Sequence, residues 1–124
     1  MQFTVGRIGR DCLASLDRKE TPQEFASAWQ QRNIKYVNSV AKYLQVRLSE
    51  AAAKGESEKN SLMRDLAAIR RNAETDINSM YEKTGKESVC KRMVMLIDGG
   101  AYDITSRVPM FNELEALASW SQKQ

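Results

Sequence analysis

The sequence predicts an all-α fold: a four- to five-helix bundle built on a long antiparallel helical hairpin (about 22–54 and 57–84) with short flanking helices, in one domain covering 1–124. Three observations predict it. Apolar residues recur in steps of three and four through most of the chain. Only two prolines and six glycines interrupt 124 residues, too few for a turn-rich β protein. Glycines also stand where the periodicity stops, at Gly55, at Gly85 and at Gly99-Gly100, as helix C-termini favour.

Taken in order, a first short helix is expected near 9–19, with Val5, Ile8, Cys12 and Leu16 on one face. Gly6 and Gly9 weaken its first turn. Thr21-Pro22-Gln23-Glu24 then reads as a helix start: Thr21 can cap the N–H three residues on, Pro22 suits the first helical position, and Glu24 can reach back. No Gly or Pro follows until Gly55, so one helix of about 33 residues, roughly 50 Å, is expected. It carries two stripes. Ile34, Val37, Ala41, Leu44, Leu48 and Ala51 form a seam for one neighbour, and Phe25, Trp29, Tyr36 and Tyr43 lie beside it. Neighbours on two sides imply a bundle.

After Gly55, Glu56 to Ser61 reads as a polar turn. The next helix runs to about Thr84 with Leu62, Leu66, Ile69, Ala73, Ile77 and Met80 on a narrow stripe, its other sides charged. A short helix near 87–98 places Val89, Cys90, Met93, Leu96 and Ile97 inward. Ala101 to Val108 fits an ordered loop, a helical turn or a short extended piece. Pro109 starts a last helix, 109–121, in which Met110, Phe111, Leu114, Leu117 and Ala118 face inward and Trp120 lies off the stripe.

Chemistry leaves few marks on this chain. There is no histidine, and no Cys-x-x-Cys, Gly-rich phosphate loop or clustered carboxylate motif, so an enzyme is not expected. With two Cys and no His a tetrahedral zinc site cannot be completed in the usual way; no metal or cofactor is expected. A formal charge of +3 is too weak to imply nucleic acid. Arg70-Arg71 and Lys91-Arg92 sit among acidic residues and read as solvated faces. No apolar run is long enough to span a bilayer. Met1 to Val5 has neither the basic lead nor the apolar stretch of a signal peptide, although a chain whose signal has been removed would look the same.

Cys12 and Cys90 are the strongest pointer to environment. They fall on the apolar faces of short helices flanking the hairpin, where a disulfide staple fits. Closing a loop of roughly 78 residues removes about 4 to 5 kcal/mol of unfolded-chain entropy in the loop model, and such a bond persists in an oxidising compartment. Two buried free thiols in a reducing compartment are the alternative. The partner-binding candidates are Trp29, Tyr36 and Tyr43 on the aromatic stripe, Trp120 on the last helix, and Asp98, Tyr102 and Asp103 in a glycine-containing loop. Each has a plainer reading, as core or as ordinary loop, and the six methionines read as gap-fillers between helices.

These features lead to an expected function as a non-enzymatic, exported (periplasmic or secreted) helical protein that binds a partner protein. An immunity or inhibitor protein, or an envelope accessory factor, fits that description. A cytoplasmic adaptor or chaperone-like protein, homodimeric through Trp120 and the last helix, and a nucleic-acid-associated protein are the alternatives.

Overall fold

In a computed structural model, which describes residues 1–123, the chain is all-α. Its helices are α1 (Gln2–Cys12), α2 (Pro22–Arg32), α3 (Ile34–Lys54), α4 (Glu56–Thr84), α5 (Lys86–Asp98) and α6 (Phe111–Gln122), with a 3-10 turn at Ala14–Leu16. None of them is long and apolar enough to cross a membrane. The chain divides into two compact units, each drawn from two segments: Met1–Arg32 with Ile69–Asp103, and Asn33–Ala68 with Ile104–Gln124.

The first unit has a closed core. Val5, Ile8, Cys12 and Leu13 from the α1 end meet Phe25 and Trp29 of α2, Ile77 of α4, and Val89, Cys90, Met93, Val94 and Ile97 of α5, all of them buried. Helix α1 is central, packing closely on α2 and α5. It begins earlier than the sequence suggested and ends at Cys12, followed by the 3-10 turn and by Asp17 in the left-handed region at φ 56°. Gly9 explains why packing overrides propensity. A Cβ there would lie 3.1 Å from Phe25 Cδ2 and 3.5 Å from Pro22 Cα, so the helix keeps a poor helix former to let α2 approach.

The start of α2 is the expected reciprocal cap. The Glu24 N–H donates to Thr21 Oγ1, and the Thr21 N–H donates to Glu24 Oε1, each at 3.1 Å. Its end differs from expectation. The helix read across 22–54 is interrupted at Asn33, which stands at φ −114°, ψ 22° between α2 and α3. Tertiary bonds outweigh local preference at this point: the buried Asn33 carboxamide oxygen accepts the Ile104 N–H at 2.7 Å, a partner 71 residues away that no local pattern announces.

In the second unit α3 packs against α6. Tyr36 meets Phe111 and Glu115, Tyr43 meets Trp120, and Lys42 donates to the Ser121 carbonyl at 3.0 Å. Contact positions rise together along both helices, so α3 and α6 run parallel. The 56–61 segment, expected as a turn, is helical; only Gly55, at φ +124°, separates α3 from α4. Glu56 and Glu58 in the first turn of α4 suit the positive end of the helix dipole. Helix α6 starts at Phe111, two residues past Pro109, because Met110 takes the left-handed conformation at φ 64°.

Candidate functional site

The sequence candidates separate into two groups, one in each unit. Trp29, Asp98, Tyr102 and Asp103 belong to the first, where they tie the segment after α5 onto α2. The Trp29 indole N–H donates to the Tyr102 carbonyl at 3.0 Å, and the ring is only 1% exposed. Trp29 is therefore corrected from candidate contact to core residue, since a partner cannot reach it. Arg32 takes the Asp103 carboxylate at 3.1 Å and the Ile97 carbonyl at 2.7 Å. That second bond satisfies an end-of-helix carbonyl of α5. Asp98 pairs with Arg18 at 2.8 Å, and the Tyr102 hydroxyl donates to the Met93 sulfur at 3.4 Å. Asp98 at the end of α5 and Asp103 in the segment after it are thus both held by arginines, which pins that segment.

Behind that loop the structure brings Cys12 and Cys90 to disulfide distance, with their Cα atoms 5.2 Å apart. Both residues are buried between α1 and α5. A polar network not legible in the sequence borders the same helices. Arg7 donates to Asp11 at 3.1 Å, to Asn78 at 2.5 Å and to the Glu74 carbonyl at 3.3 Å, while the Tyr81 hydroxyl donates to Asp11 at 2.8 Å. Burial first, and the Asp11 bond second, push the Tyr81 phenol up to about 12. Apart from the Arg7–Asp11 pair within α1, periodicity gave no sign of this network because its partners lie 67 to 71 residues apart. The basic pairs are partly engaged too: Arg70 lies over the Phe3 ring at 5.1 Å, and Lys91 pairs with Glu87 at 3.2 Å.

Tyr36, Tyr43 and Trp120 form the second group, along the parallel α3–α6 pair. The Tyr36 hydroxyl bonds to Glu115, and Lys35 reaches the same carboxylate at 3.1 Å. The Tyr36 bond, then the Lys35 bond, hold Glu115 below the ordinary carboxylate range, and the same bond to Glu115 raises the Tyr36 phenol. Tyr43, 42% exposed, meets the edge of the Trp120 ring at a centroid distance of 6.1 Å.

What surrounds that aromatic pair is unlike the first unit. Among its described residues only Asn33, Ser39 and Ala118 are fully buried, so every large apolar side chain of this unit keeps part of its surface open. Val37, Val40, Leu44 and Leu48 of α3 and Leu62 and Leu66 of α4 are half-buried, with Met63 49% and Met110 67% exposed. Helical spacing identified these stripes, but spacing cannot tell a stripe that is covered from one left open. The first unit thus has a closed core around a disulfide-distance cysteine pair, and the second leaves its apolar stripes only partly covered. Compared with known protein families, with curated proteins and with solved structures, the chain matches none.

Proposed function

We propose that this is a non-enzymatic helical protein of an oxidising compartment, periplasmic or secreted, that binds a partner protein through its second unit. The observation that carries the reading is that Ile34, Tyr43, Met63 and Met110 of that unit are exposed while none of its large apolar side chains, among the described residues, is fully buried. Exposed Ile34, Tyr43, Met63 and Met110 forgo about 25 cal/mol for each Å² left in water, and exposed apolar groups that gather on one surface are characteristic of interaction sites. Tyr43 and Trp120 add rigid aromatic area of the kind that dominates binding energy at interfaces. The disulfide-distance pair supports the compartment, because reducing cytosol does not keep such bonds.

Two experiments test the two halves of this reading. The native chain is purified under non-reducing conditions, unfolded, and treated with a thiol alkylator. Both cysteines should stay unmodified until a reductant is added, and prompt labelling of both would place the protein in a reducing compartment. In parallel, envelope and secreted proteins are captured on the immobilised native chain and on a Tyr43→Ala, Met63→Glu variant. A partner held by the first and lost by the second, with unfolding of the chain unchanged, is the expected result. Identical capture by both would remove the second unit as the binding surface.

A further inference from the structure

We propose that the open stripes of α3 and α4 are completed by a second copy of this chain, in a swapped hairpin: α3 of each protomer lies antiparallel to α4 of its partner, and Gly55 is the hinge. This deepens the functional reading by naming one occupant of the open unit.

Antiparallel helix pairs within one chain are joined by loops of about 2 to 5 residues, whereas Lys54 ends α3 and Glu56 begins α4. One glycine leaves too little chain to turn a helix back along its neighbour. The close partner of α3 is α6, while Leu62 and Leu66 of α4 stay half-buried. Nothing lies within 4 Å of the Gly55 Cβ position, so the bend is set by the backbone alone and the hinge is unobstructed.

The two stripes nonetheless match each other. Read in opposite directions, Ala51 meets Leu62 and Leu48 meets Leu66, in alternating steps that keep both pairs on facing sides. Charge agrees with the same register. In an antiparallel pair one flank of each helix meets the same flank of the other, which sets Lys54 opposite Glu58 and Arg47 opposite Asp65. In the single chain none of these four charges is paired across the two helices: Arg47 reaches only Glu50 of its own helix, at 3.4 Å, with both side chains about half exposed. A seam complementary in shape and sign, on two helices whose connection is too short to close it internally, closes between two chains. A two-fold axis repeats the pairing, so the interface is self-complementary and finite.

The test is sedimentation of the oxidised full chain between about 1 and 100 µM, a range that brackets micromolar dissociation constants. The expected mass is twice the 14.1 kDa of the chain. Inserting Gly-Ser-Gly-Ser after Gly55 should yield a monomer of unchanged helix content, because α4 can then fold back on its own α3. Arg47→Glu should weaken the dimer at least tenfold, and adding Asp65→Arg should restore it. A native chain that is monomeric throughout, or a dimer indifferent to both the insertion and the charge reversal, would overturn the proposal. A monomer that still captures a partner removes the swap and leaves the functional reading standing. A hinge-dependent dimer that captures nothing does the reverse.

Discussion

Gly9 and Gly6 stand on the same helix and carry opposite expectations. At Gly9 an added methyl meets Phe25, a buried ring with no room to move, and the backbone of Pro22. At Gly6 the nearest atom is the mobile end of Arg10, at 3.5 Å. Gly6→Ala should therefore gain up to about 1 kcal/mol of helix propensity, whereas Gly9→Ala should lose about 1 kcal/mol or more through overpacking; urea unfolding of the two variants checks the sign. Tyr81 provides a second test. Its phenol stays protonated up to about 12 in the folded chain against about 10 unfolded. The stability it contributes is complete below pH 10 and is lost as pH rises from about 10 to about 12. The wild-type chain should lose more stability over that interval than Tyr81→Phe, and equal losses would show that the phenol is indifferent to folding. Glu115 runs the other way: its depressed value stabilises the fold above the ordinary carboxylate range and is lost as pH falls below it. Neither the glycine contact nor the phenol network was legible in the sequence, because both depend on residues brought together from distant segments. The Thr21–Glu24 cap was legible, since all its atoms lie within one turn.

Helices were read well where local rules govern and less well at their joins. The stripe of α5 and the stops at Gly55 and Gly85 follow from periodicity and glycine chemistry, whereas Ile69, expected on the apolar stripe of α4, is 67% exposed because no neighbouring helix covers that stretch of α4. The break at Asn33 does not follow from either, because an Asn inside a helical pattern carries no breaking signal until its carboxamide finds a buried backbone N–H. Asn33→Ala should cost about 1 to 3 kcal/mol by leaving the Ile104 N–H without that acceptor, as measured by thermal or urea unfolding. Arg32→Ala should release the segment after α5, since Arg32 supplies the bonds to Asp103 and Ile97. Amide exchange at residues 99–104 should then quicken while the helices α1 and α5 keep their protection, and unchanged exchange in that segment would show that the arginine is not its anchor.

At the level of the whole chain the fold class was visible at once and the distribution of its core was not. Composition and spacing count apolar stripes, but only three-dimensional packing shows that Val5, Phe25, Ile77 and Ile97 are fully buried while Leu44, Leu48, Leu62 and Leu66 are only partly so. Spacing alone puts Trp29, Tyr36 and Tyr43 on one stripe for the same reason; the helix break sends Trp29 into one unit and the two tyrosines into the other. Replacing both Cys12 and Cys90 with serine should lower stability by about 4 to 5 kcal/mol, on the loop-entropy account of a 78-residue separation. A double variant as stable as the wild type would mean that the unbonded core suffices. The position of that pair also sets an order of events during synthesis. Cys12 is made early, yet its partner follows only after the whole of α2, α3 and α4. In a chain that closes this pair in an oxidising compartment, the thiol at residue 12 has to stay unspent while those helices emerge. A chain oxidised too early would join Cys12 to a neighbouring chain, so the yield of correctly closed protein should depend on how crowded the growing chains are.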